Sequence, residues 1–343
     1  MRAINTRFVA RLLLLLAACG TGGCGSYVAH RMAQAPNTYP SWLAPRARVI
    51  LSFQDQFLTN FPAQFADVGP PQARLHYRVV EPGEYHFGVT STNWLDRGRR
   101  QYQFNFRADV PGGTNVWTRN PRGTVVLLHG YGVAEFAMAP WALRLAQEGW
   151  RCVLVDLRGH GESTGATIYF GIKEARDMSQ LLDVLANRGE LVQPVAAIGE
   201  SYGASLALRW KTTDTRVDRV VAIAPYAVLS NAVLNIFHEY ALCLPKSLPK
   251  AGLKKLPAVL GVQPDELDTT TVLARHPVVG LFVAAGEDKV TPIADVQKLF
   301  EAAAPGSKLI TVSEATHETV SYFFSELSSP VLSWLGTNAP RAR

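Results

Sequence analysis

Residues 195–210, VAAIGESYGASLALRW, set one hydroxyl between two glycines, in the run Gly199-Glu200-Ser201-Tyr202-Gly203. An apolar run ends at Gly199 and a helical pattern begins at once. A G-x-S-x-G turn between strand and helix strains the backbone at the serine. It holds the hydroxyl clear of the sheet, where the free N–H groups of the helix start favour developing negative charge. Outside that context the same residues read as a serine N-cap between turn glycines. Here the strand before and the helix after point to a nucleophile.

A serine hydroxyl is a poor nucleophile without a base beside it. Of the eight histidines, His30 falls in a small-residue segment, and His76 and His86 precede the main run of strands. His129 and His160 sit in glycine turns, and His238 and His276 belong to an insertion or its edge. His317, in SEATHETV after the last apolar run, is left as the candidate base. Its imidazole needs a carboxylate to fix the tautomer and stabilise the charged form. The turn of VAAGEDKVTP offers Glu287 and Asp288. Asp288 is preferred, because its spacing to Pro292 makes it the pivot of the loop, with Glu287 read as a solvated neighbour. Together the three residues predict a nucleophile, its general base and the carboxylate that orients that base.

Such residues need a frame. After Pro121 short apolar runs recur (TVVLLHG, RCVLVDL, VAAIGES, RVVAIAP, VGLFVAAGED, KLITVSEAT), separated by helical patterns such as 139–148 and 175–186. That alternation predicts an α/β fold, a mostly parallel central sheet with helices on both faces. The core splits into 121–225 and 277–337 around an insertion, 226–276, expected to cap the site. Its stretch AVLSNAVLNIFHEYAL is apolar enough to line an acyl pocket. Upstream, 46–120 reads as an extension: helical spacing from Val49 to Phe61, then antiparallel strands at LHYRVV, YHFGVT and QYQFNF.

The 343-residue chain is 48% hydrophobic and 18% charged, a globular composition. Its net charge of +6 includes Arg2, Arg7 and Arg11 of the leader and is spread along the chain, which gives no case for nucleic acid. Residues 1–18 have the basic start and short apolar stretch of a secretory signal. Leu16-Ala17-Ala18-Cys19 resembles the bacterial lipobox, which makes Cys19 a candidate lipid attachment site and Cys24 a weaker one. Residues 19–45 then read as a flexible tether. Gly20 in place of aspartate resembles the outer-membrane sorting pattern, so the expected location is the cell envelope, with a secreted or periplasmic protein as the alternative. Four cysteines give no disulfide framework, no His/Cys/Asp group has metal-ligand spacing, and no cofactor is expected.

The order Ser201, Asp288, His317 resembles the α/β-hydrolase family. LLHGYG resembles that family's His-Gly oxyanion turn, and VLVDLRGHGEST its D-x-R-G-x-G-x-S turn. The likeness runs over about residues 122–335. It implies that backbone N–H groups of Tyr131 and Tyr202 form the oxyanion hole and that His129 and His160 are structural. Thr316 stands where the family often has glycine. The capped branch that the chain is similar to includes lysophospholipases and serine aminopeptidases. The expected partner is a small-molecule or lipid ester, with acyltransferase, peptidase and binding-only readings kept open.

Overall fold

The central strands after Pro121 are buried on both sides, and their side chains divide between two cores. Val126 and Leu128 point into one, while Val125 and Leu127 point into the other; on the next strand Ala197 and Ile198 do the same. This two-sided burial explains why these strands read as continuous apolar runs. The computed structural model describes residues 24–38, 49–53, 57–96, 99–108, 120–240 and 245–336.

The strands are β1 (Val49–Phe53), β2 (Gln64–Val68), β3 (Ala73–Val80), β4 (Gly88–Asp96), β5 (Arg99–Arg107), β6 (Thr124–Leu128), β7 (Arg151–Val155), β8 (Val195–Glu200), β9 (Val217–Ile223), β10 (Leu281–Ala285) and β11 (Lys308–Val312). The helices are α1 (Cys24–Ala33), α2 (Ala139–Ala146), α3 (Ile172–Asn187), α4 (Tyr202–Thr213), α5 (Leu229–Tyr240), α6 (Ser247–Leu260), α7 (Thr269–Arg275), α8 (Ile293–Glu301) and α9 (Phe324–Gly336). Eight strands form the main sheet in the order β11-β10-β9-β8-β6-β7-β3-β2. From β6 onward neighbours are parallel, and β2 and β3 close one edge in antiparallel pairing. Residues of α1, α3, α4, α6, α7 and α8 join one core, and those of α2 and α9 the other.

Three upstream expectations change. The helical spacing at 49–61 is instead β1 followed by a 3-10 turn at Phe57–Asn60. Short apolar runs do not separate helix from strand, and parallel pairing of β1 with β5 decides it. The antiparallel strands also divide. β2 and β3 join the main sheet, while β4 and β5 form a separate sheet with β1. Tyr102, Phe104 and Phe106 alternate on one face of β5; Tyr102 stacks on Phe104, and Phe104 and Phe106 pack with Tyr322 and Phe324, so that sheet is held by an aromatic layer. Finally, residues 24–38 within the expected tether are ordered. Ala29, Ala33 and Ala35 are fully or almost fully buried, and Ala33 and Gly159 carbonyls accept from Ile168 and Asn37 N–H groups. Within the insertion, α7 buries Leu273 in the core, and Arg209 of α4 bonds the Glu266 carbonyl. Cys19 lies outside the described residues.

Candidate active site

Ser201 follows β8 at the carboxyl edge of the sheet, with φ +51° and ψ −111°, a backbone that L-residues rarely adopt. Its N–H is anchored to the Ile223 carbonyl at 2.8 Å. The flanking glycines are required by close approach. A Cβ at Gly199 would collide with the Gly203 carbonyl, and one at Gly203 with the Leu128 carbonyl. So α4 is pressed against the ends of β6 and β8, and the serine is held at the apex of the turn.

Asp288 and His317 reach the same point from the turns after β10 and β11. Ser201 Oγ lies 2.9 Å from His317 Nε2, and His317 Nδ1 lies 2.8 Å from Asp288 Oδ2. Asp288 is almost fully buried and Glu287 is exposed. Asp288 Oδ1 accepts the Val290 and Thr291 N–H groups, each at 2.7 Å. The Thr291 hydroxyl stands 2.8 Å from Asp288 Oδ2 and 3.2 Å from His317 Nδ1. Asn235 of α5 donates to the Val290 carbonyl at 3.0 Å, tying the insertion to this loop. The Thr316 N–H bonds the Thr319 hydroxyl at 2.9 Å, which fixes the turn that carries His317.

The turn after β6 completes the edge. Gly130 sits beside Ser201, with the serine Cβ 3.8 Å from where a Gly130 Cβ would stand. Buried His129 accepts the Leu157 N–H at Nε2 (3.0 Å) and faces the Gly130 carbonyl at Nδ1 (2.7 Å). Burial holds it neutral by lowering its pKa. His160, pushed down to about 3 by burial and by the neighbouring His129, stacks on Tyr202 at 5.7 Å and meets Tyr131 edge-on at 5.7 Å. Two neutral imidazoles thus brace the two residues expected to supply oxyanion donors. Tyr131, Val133 and Phe136 leave about 40% of their surface exposed along this rim.

Two features had no sequence signal. Glu200, the residue before the serine, is buried, and desolvation pushes its carboxyl up to about 7 against the opposing pull of the His317 imidazole. His76, Glu135 and Asp156 come together from distant segments, with ligating atoms within 4.8 Å of one another, so the fold makes a cluster that spacing did not show. Asp156 Oδ2 faces His76 Nδ1 at 3.1 Å, and Arg78 Nε bonds Glu135 Oε1 at 2.6 Å. The hydrogen bond to Asp156 raises the His76 pKa, and burial pushes the Glu135 carboxyl up to about 7 against the pull of Arg78 and His76. Glu135 and Glu162 N–H groups also bond Asp156, at 2.7 and 2.9 Å, so the cluster ties the rim to β7. A cavity of about 650 Å³ lies elsewhere, between β4–β5 and α9, and none of Ser201, Asp288 and His317 lines it.

The sequence model of a family described as serine aminopeptidase, S33 matches residues 119–279. An uncharacterized protein of Bacillus subtilis, YqkD, is 24% identical over 214 residues, covering 61% of this chain and 69% of that one. An esterase structure from Pyrococcus furiosus superposes with a TM-score of 0.58 at 20% identity, over 82% of this chain and 93% of that one. A hydrolase from Pseudomonas aeruginosa gives 0.53 at 20% identity, over 80% and 98%. On strand order, on the turn that carries Ser201 and on the family match, this chain is an α/β-hydrolase-fold protein.

Proposed function

We propose that the chain is a serine hydrolase that cleaves carboxylic esters. Ser201 attacks the carbonyl, His317 Nε2 takes its proton and returns it to the leaving alcohol, and Asp288 stabilises the imidazolium. Water then releases the acyl group by the same steps in reverse order of roles. Backbone N–H groups of Tyr131 and Tyr202 hold the oxyanion, a contribution of about 3 kcal/mol each to lowering the barrier. The observation that carries this reading is the continuous hydrogen-bonded relay from Ser201 Oγ through the imidazole to Asp288.

The family description favours a second reading, an aminopeptidase. Such an enzyme needs a carboxylate to bind the substrate's free ammonium. In the insertion Asp265 is paired with Arg275, Glu266 accepts the Gln263 N–H and Asp268 accepts the Leu229 N–H. Those engagements support an uncharged acyl group. The test is a p-nitrophenyl ester series of rising chain length run beside aminoacyl p-nitroanilides. Ester turnover with no anilide turnover is expected; preferential anilide cleavage overturns the ester reading. An added alcohol that diverts the acyl group from water identifies an acyltransferase. Cys19 is proposed as the lipidated residue of an envelope protein, checked by the mass of the mature N-terminus.

A further inference from the structure

Beside α1, the lysines of α6 and its N-cap form a positive face with no ion-pair partner among the described residues. Lys246 at the N-cap, Lys250, Lys254 and Lys255 are all exposed, and the first three fall four residues apart on one stripe. Pro249, Gly252, Leu256 and Leu260 form the opposite, buried side. Neither α6 nor α1 contains an aspartate or glutamate. Among the described residues none of the four lysines has an ion-pair partner.

Helix stability does not account for this arrangement. Cations at a helix N-terminus oppose the macrodipole, and like charges at i,i+4 repel. An anionic partner would relieve both penalties. Its place in the chain says which one. Gly25, at the start of α1, stands against α6: a Cβ there would lie 2.9 Å from the Ala251 carbonyl and 3.3 Å from Lys255 Cγ. The chain therefore enters the fold beside the lysine face, directly after the apolar run Leu12–Leu16 and the small residues through Cys19. From Cys19 to Gly25 an extended chain spans about 20 Å at most. A membrane-seeking leader or an acylated Cys19 thus holds this face within reach of lipid headgroups. Tyr27, 56% exposed on α1, is an aromatic of the kind enriched at that interface.

We infer that the α1–α6 face docks on an anionic lipid surface, with α6 lying along the headgroups. The choice of a lipid partner rests on the envelope reading of the leader and Cys19, while the docking itself is electrostatic and independent of the reaction at Ser201. Each lysine near an anionic leaflet strengthens attachment roughly fivefold, and the effect decays within a Debye length.

The test places the full chain in vesicles of phosphatidylcholine alone, or with about one-third phosphatidylglycerol. Brief labelling with an amine-acylating reagent is followed by peptide mass analysis. Lys246, Lys250, Lys254 and Lys255 are expected to react several-fold less in the anionic vesicles, while Lys308 on edge strand β11 reacts equally in both. Equal reactivity of the four in both vesicles overturns the inference. So does protection by RNA added to the neutral vesicles without protection by phosphatidylglycerol, which would mark a nucleic-acid face. Because the readout is lysine reactivity, an inactive chain still gives an answer.

Discussion

The loop that carries Asp288 and the face formed by α1 and α6 differ in how their charges are held. Both oxygens of Asp288 are engaged, by two backbone N–H groups, the Thr291 hydroxyl and His317. The three lysines of α6 and Lys246 at its N-cap have no ion-pair partner among the described residues, and the helix is held by small-residue contact with α1. Charge that must keep one geometry during a reaction is fixed by several bonds. Charge that meets a variable surface is left solvated and is fixed only through the backbone beneath it. Substitutions in the two regions should therefore separate chemistry from stability and attachment.

The largest effect is expected at the most constrained group. Asp288→Asn keeps the backbone hydrogen bonds but favours the wrong imidazole tautomer, and should lower kcat by about 10⁴-fold with little change in Tm. Glu287→Gln should leave kcat within a few-fold. Reversal of these two results would move the orienting role to Glu287.

Glu200 shows what the same region costs in stability. Its carboxyl has an ordinary value of 4.5 and is raised by burial to about 7 in the native state. The native state therefore holds this proton more tightly, and its stability falls as pH rises from about 4.5 to about 7, then levels off. Glu200→Gln removes that loss. Relative to its difference at about pH 4, the variant should gain about 1–3 kcal/mol by about pH 8, measured by denaturant unfolding. A difference that does not change with pH would mean that Glu200 ionises freely in the native state.

A smaller effect is expected in the second region. At Gly252 a Cβ would stand 2.5 Å from Val28 Cγ1 and 3.1 Å from Met32 Sδ. Gly252→Val should force α1 and α6 apart at a cost of about 1–3 kcal/mol, while kcat on a short-chain ester stays near wild type. If kcat falls with stability, the helix pair and the reaction site are coupled and the contrast between them fails.

The same contrast explains what could be read from the sequence. The parallel sheet was legible because its central strands are buried on both faces and written as unbroken apolar runs. Ser201, Asp288 and His317 were legible as residues because each closes a strand, and the structure brings their side chains together. Other features were not. The small residues Gly25, Ala29 and Ala33 that suggested a tether are the surface through which α1 packs. The run from Val49 became a strand through pairing with β5, some fifty residues away. Thr291 reaches both Asp288 and His317, and only the Asp-x-x-Thr-Pro turn hints at it. His76, Glu135 and Asp156 share no sequence spacing, since three separate segments deliver them.

The most direct measurement of the central claim is covalent capture of the nucleophile. The full chain is treated with a fluorophosphonate, which reacts with activated serines, and the modified peptide is located by mass spectrometry in wild type, Ser201→Ala and His317→Ala. The account predicts a single adduct on Ser201, none in Ser201→Ala, and labelling slowed by orders of magnitude in His317→Ala, because nucleophile and base act as a unit. An adduct on another serine, or ester hydrolysis undiminished in Ser201→Ala, would contradict it.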